Sequence, residues 1–192
     1  MSRARDTGQG TNHSGGTLSS NIIMPTGMIV KVTKHNLADY SVSTPHYDNN
    51  KSNFRVISDG SNSVSWEVTT KQQYSDILII GSYHSGGGQA SHEYFDMKYG
   101  SISSTDTEAN GNWLSGTNYD GMTSKYPNAT GDREINSIVW LHTAGYNAGT
   151  TIYYAPYVGQ WSGTETIHIN RYNSSDTNGT NLTHFLFIEI AK

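Results

Sequence analysis

Asp106-Thr107-Glu108-Ala109-Asn110-Gly111 opens like the oxygen-ligand run of a calcium loop, in which acidic and amide side chains alternate before a glycine turn. Its third position is Glu, and the twelfth is Thr117 where a bidentate Glu belongs. A chain this rich in Asp, Asn, Thr and Gly produces such runs by composition alone, so no metal is expected. His84-Ser85-Gly86-Gly87-Gly88 has the look of a lipase oxyanion loop, but no G-x-S-x-G elbow accompanies it. His84 with His92-Glu93 offers ordinary zinc ligands at no standard spacing. Asp96, Asp106, Glu108, Asp120, Asp132 and Glu134 could serve the paired-carboxylate chemistry of glycoside hydrolysis, yet no spacing singles out a pair. The residues therefore point to binding, with no enzymatic activity and no cofactor.

Aromatic side chains carry that expectation. Trp113, Tyr119 and Tyr126 fall in one long irregular stretch, and Tyr146, Tyr157 and Trp161 around later connections. Aromatic faces stack on the apolar faces of sugars while Asn and Asp read hydroxyls, and loops of this composition also suit protein recognition. These six are the candidate receptor- or surface-binding residues, with a host-surface polysaccharide as the expected ligand. The competing reading is packing within the core or between subunits. Asn12, Asn128, Asn173, Asn178 and Asn181 begin N-x-[ST] sequons, which an Asn/Ser/Thr-rich chain contains without implying a glycan.

The elements that must position these residues read as strands. The chain has 192 residues, 34% hydrophobic and 15% charged, so its polarity comes from Ser, Thr, Asn and Gly rather than from charge. With 11% aromatics it is not a disordered composition, and it suits an exterior β domain with many short strands. A net charge of −4 gives no basic footprint for nucleic acid. There is no cysteine for a disulfide framework, and no run is long enough to insert into a membrane. Arg3 and Arg5 are followed by a polar, Gly-rich Thr7 to Ser20 where a signal peptide needs an apolar core. The expectation is a virion component made in the host cytoplasm.

Residues 1–25 read as an extended arm, docking through Arg3 and Arg5 at the tip and Ile22 and Ile23 near the body. Residues 26–192 read as one β domain. Met28 to Val32, Phe54 to Ile57, the alternating Val64/Trp66/Val68, and Ile77 to Ile80 suggest strands, as do Phe95/Met97/Tyr99, Ile135 to Leu141 and Thr151 to Val158. Pro156 demotes the last of these to an edge strand or a bulge. Between Gly100 and Arg133 no periodicity is visible, and Ser85 to Gly88 reads as a flexible connection. Ile167 to Asn170 alternates; the terminal strand does not. There Leu186, Ile188 and Ile190 share one face, and Phe185 and Phe187 share the other with Glu189. A strand apolar on both faces must be covered on both sides. One face enters a sandwich core, and the phenylalanines are assigned to the interface with another copy. Eight or nine strands give an all-β, jelly-roll-like sandwich.

Gly145-Tyr146-Asn147-Ala148-Gly149-Thr150-Thr151-Ile152-Tyr153-Tyr154, then Ile167-His168-Ile169-Asn170-Arg171, then Phe187-Ile188-Glu189-Ile190-Ala191 follow one another toward the C-terminus. Together with the opening Met-Ser-Arg-Ala-Arg-Asp, this order resembles the C-terminal β knob of marine tailed-phage (cyanophage-like) structural and fibre proteins. The resemblance implies a homotrimeric, non-enzymatic knob on a virion, attached to other virion proteins through its arm. A short fibre or tail-fibre tip that contacts the host surface is the reading it favours. A capsid decoration or cement protein is the alternative, and a polysaccharide depolymerase a further one.

Overall fold

The computed structural model describes residues 25–38, 40–44, 51–58, 63–86, 92–101, 103, 110–116, 121–125, 134–161, 165–170 and 183–192. The arm residues Arg3, Arg5, Ile22 and Ile23, the calcium-like run up to Ala109, and Tyr119 and Tyr126 lie outside these. Two antiparallel sheets face each other as a β-sandwich, which is the all-β fold the alternating segments predict.

The first sheet is built on β5 (Ser75–Gly86), which pairs along its length with β9 (Glu134–Tyr146). Its other side is shared by two shorter strands. β12 (His184–Ile190) covers residues 76–82, and β11 (Glu165–Ile169) takes over at Ser85 and Gly86. Outside these lie β1 (Ile29–Asn36) against β12 and β2 (Tyr40–Thr44) against β11. The second sheet repeats the plan. β6 (Glu93–Gly100) and β10 (Thr151–Gln160) form its long pair. β4 (Trp66–Thr69) and then β3 (Arg55–Val56) flank β10, while β7 (Asn112–Trp113) and β8 (Thr123–Lys125) flank β6.

Several sequence expectations change here. β10 is an interior strand, not an edge. Pro156 is tolerated because β4 opposes residues 151–154 and β3 opposes 157–158, so the missing N–H falls at the break between them. The Pro156 carbonyl still accepts from Ile57 N at 3.0 Å. The aperiodic stretch after Gly100 contributes β7 and β8, whose two and three residues are too short to show a period. β5 runs on through His84, Ser85 and Gly86, so the connection begins later than its glycines suggest.

The core between the sheets explains the terminal strand. Phe185 and Phe187 are fully buried, among Ile77, Ile79 and Tyr83 from their own sheet and Trp66, Phe95, Met97, Ile152 and Tyr154 from the other. Phe185 stacks on Phe95 with centroids 5.5 Å apart, and Phe187 meets Tyr154 at 4.7 Å. The two phenylalanines are therefore not subunit-interface residues. Each ring buries a large apolar area between the sheets, worth about 1.5–3 kcal/mol. Gly81 makes room for this packing, since a Cβ there would strike the Phe185 ring and the His184 carbonyl.

Glu189 completes the inward face. Its carboxylate accepts from Lys71 N at 2.7 and 2.9 Å, Gln72 N at 2.8 Å and Ser75 Oγ at 2.7 Å. A buried acid is affordable only when its oxygens are satisfied in this way. The contacts fasten the tight turn before β5, in which Tyr74 takes φ +60°.

Candidate functional site

The outward faces of the two sheets differ, and one of them is the candidate site. On β12 the outward residues are His184, Leu186, Ile188 and Ile190, because side chains alternate across a strand. The register across the sheet places Val32, Ile188, Leu78 and Leu141 in one row over four strands. The next row toward Gly86 is Lys34, Leu186, Ile80 and Val139. On the other side of the first, Ile29, Ile190 and Asp76 align. Nine aliphatic side chains thus form one block with no aromatic among them.

That block is open to solvent. Val139 is 68% exposed, Ile29 60%, Val32 52% and Leu141 50%. Ile135, on the same face of β9, is 62% exposed. Its boundary is polar: beyond Ile80 the next row holds Asn36, His184, Ser82 and Ser137. Asp76, at the opposite boundary, lies 3.5 Å from Lys192. A contiguous apolar patch rimmed by polar groups marks an interaction surface. The signal in the sequence was the two-faced apolar run, present in Ile77–Ile80, in Ile135–Leu141 and at the terminus. It gave the need for a cover but not which face needed it.

The outward face of the second sheet is covered by its own chain. Phe54, Tyr94, Ala155 and Tyr157 form a small second core there, with Val56 and Trp113 against it. A 3₁₀ turn at Lys51–Asn53 leads into it, and Gly159 lets the Phe54 ring lie directly on β10. Beneath the turn, Lys51 Nζ donates to Asp96 Oδ2 at 2.7 Å. Ser115 Oγ donates to the same oxygen at 2.6 Å, and Met97 N to Oδ1 at 2.8 Å. Burial raises the Asp96 pKa above the usual carboxylate range, against the opposing pull of Lys51.

The aromatic residues singled out from the sequence do not converge. Tyr157 is buried, packed edge-on to Trp113 at 4.9 Å, so it faces its own chain rather than a ligand. Trp113 is half-buried, with Lys51 and Lys98 over its ring at 5.4 and 5.1 Å. Tyr146 packs against the main core near His142, and burial lifts its hydroxyl pKa to about 12. Trp161 alone of these four is exposed, at 42%. It walls an open cleft of about 500 Å³ with His92, weighed from the sequence only as a metal ligand, and with Tyr94 and Ser124, which the sequence does not single out. A backbone bond from Trp161 N to the His92 carbonyl, 2.8 Å, fixes the two relative to each other.

Catalytic and metal arrangements fare no better among the described residues. No cluster of three or more His, Asp or Glu could hold a metal ion there. Ser85 Oγ donates to Glu93 Oε2 at 2.5 Å inside the sandwich. His84 lies outward beside Ser82, with Nε2 3.2 Å from the hydroxyl, so His84 and Glu93 point to different sides of the first sheet. No helix among the described residues is long and apolar enough to cross a membrane.

No protein-family model matches the chain, and no curated protein does. Among solved structures it is similar in fold to infectious bursal disease virus Gx strain, at 9% identity and a TM-score of 0.36, over 92% of this chain and 42% of that one. The infectious bursal disease virus VP2 subviral particle gives 10% identity and a TM-score of 0.37 over 92% and 41%. The chain thus spans less than half the length of either neighbour.

Proposed function

We propose that this chain is a non-enzymatic structural protein of a virion surface, seated against another protein subunit through the outward face of its β1–β12–β5–β9 sheet. The observation that carries the assembly role is the open aliphatic block. A secreted or cytosolic monomer gains nothing from nine aligned aliphatic side chains at its surface, whereas a subunit buries them on assembly. The buried carboxylates fit the same reading, since Asp96, Glu93 and Glu189 are all engaged in holding the sandwich together. The virion setting rests on the resemblance of the C-terminal segments and on the polar, cysteine-free composition. Residues 1–25 would dock the domain to other virion proteins, and the side bearing Trp161 would face the host surface.

Mass spectrometry of gradient-purified virions from lysates of the source host tests this. Peptides of the chain should be present at a copy number fixed relative to the major capsid protein. Their absence from infectious particles defeats the reading. Particles lacking the chain separate its finer forms: lost adsorption makes it a fibre or tip, and intact adsorption with fragile particles makes it a cement protein.

A further inference from the structure

We infer that the partner of this face is a second copy of the same chain, packed sheet on sheet about a two-fold axis running along the strands between β12 and β5. The inference rests on the assembly role proposed above and names its partner.

Three observations carry it. First, the face is zoned along the strands and not across them. Aliphatic rows occupy the half flanked by β1 and β12, and Asn36, His184, Ser82 and Ser137 begin the other half. A two-fold axis parallel to the strands keeps each row opposite its own counterpart, so aliphatic rows meet aliphatic rows. It brings β12 of one copy over β5 of the other. Second, the few charges are not set against their like. In this arrangement Asp76 lies over Ile190 of the second copy, and Lys34 over Val139. Third, the size suffices. Four strands at about 4.8 Å and the seven residues from Ile190 back to His184, the polar boundary row included, at about 3.4 Å give a face of roughly 19 by 24 Å, or about 450 Å². With its exposed rim the face offers on the order of 600 Å² per copy, about 1,200 Å² in total, the lower end of specific interfaces. Sheets stack at about 10 Å with strands nearly aligned, which two such faces allow.

Analytical ultracentrifugation of the full chain across the micromolar range tests the pairing. The wild type should have the mass of two copies. Leu141→Lys, at a residue already half exposed, should weaken association by at least about tenfold with unchanged circular dichroism. The register gives a second readout. Val139→Lys, set opposite Lys34 of the second copy, should weaken the pair more than Val139→Glu. A wild-type monomer overturns the inference, as does equal weakening by the two Val139 variants. A three-copy mass also overturns it and points back to the trimer that the resemblance implies. If the wild type is monomeric but Leu141→Lys fails to enter virions, the partner is a different protein, and only the self-pairing falls.

Discussion

The two sheets share a plan, a long antiparallel pair flanked by split short strands, yet their outward faces have opposite fates. The second sheet turns outward Tyr94, Asp96 and Tyr157, and its own chain folds back to cover them with Phe54, Trp113 and Lys51. The first turns outward Val139, Leu141, Ile80 and Val32, and they stay open. The contrast is chemical. An aromatic and ionic face needs partners at fixed distances and angles, which a covalently attached segment supplies. An aliphatic face needs only to exclude water, and a separately folded surface does that equally well. Covering by the same chain makes one face a matter of stability; leaving the other open makes it, in the proposed role, a matter of assembly.

The sharpest way to break the comparison is at Lys51. Replacing it with Met strands Asp96 in a buried site with only Ser115 and the Met97 amide for company. Removing one partner of a buried ion pair costs about 3–5 kcal/mol. Urea unfolding should show that loss for Lys51→Met. The double variant Lys51→Met/Asp96→Leu should recover a large part of it, because the stranded charge is gone. A loss under about 1 kcal/mol in the single variant would mean that this cover is loosely held, and the two faces would then differ in composition only.

A second prediction concerns the inward side of β9, the strand whose outward side is open. His142 is buried between the sheets with Nδ1 2.9 Å from the Tyr154 hydroxyl and its ring 4.2 Å from Tyr99. Burial lowers its pKa from the ordinary 6.5 to about 4, partly opposed by Asp76. The unfolded chain therefore takes up a proton between these values while the folded chain does not. Stability from this group is complete above about pH 6.5, declines as the pH falls toward 4, and levels off below. The full swing is roughly 3 kcal/mol at most. In urea titrations at pH 7 and pH 4.5, His142→Gln should lose less stability on acidification than the wild type does. Identical losses would place His142 in contact with water.

Much of this was legible in the residues, and the limits are physical. The alternation of Val64, Trp66 and Val68 and of Phe95, Met97 and Tyr99 gives strands because one face of each is polar, although Val64 itself precedes β4. At Phe185–Ile190 both faces are apolar, and alternation cannot say which one enters the core. The outcome depends on contacts with distant strands, since Phe185 and Phe187 meet Phe95, Trp66 and Tyr154 of the other sheet. The cover of the second sheet was illegible because Lys51 and Asp96 stand 45 residues apart and no period links them. Trp161 was legible as an aromatic in a Gly- and Ser-containing connection, but its neighbours are distant in sequence: Tyr94 lies on β6, His92 just before it, and Ser124 on β8.

The smallest effect tests the comparison most directly, at two adjacent residues of β9. Ile138 is 2% exposed and faces the core, while Val139 is 68% exposed and faces out. Ile138→Val deletes one buried methylene and should cost about 0.5–1.5 kcal/mol. Val139→Thr exchanges a methyl for a hydroxyl in water and should stay within about 0.5 kcal/mol when measured at concentrations where the chain is monomeric. At higher concentrations the two should diverge differently. In the proposed pair residue 139 is buried beside the second copy, so the hydroxyl would carry a desolvation penalty there, and the Val139→Thr deficit should grow with protein concentration while the Ile138→Val deficit stays constant. A Val139→Thr cost above about 1 kcal/mol in the monomer would show that some segment of the same chain already lies over this face. Both faces would then be self-covered, and the assembly role would need a different surface.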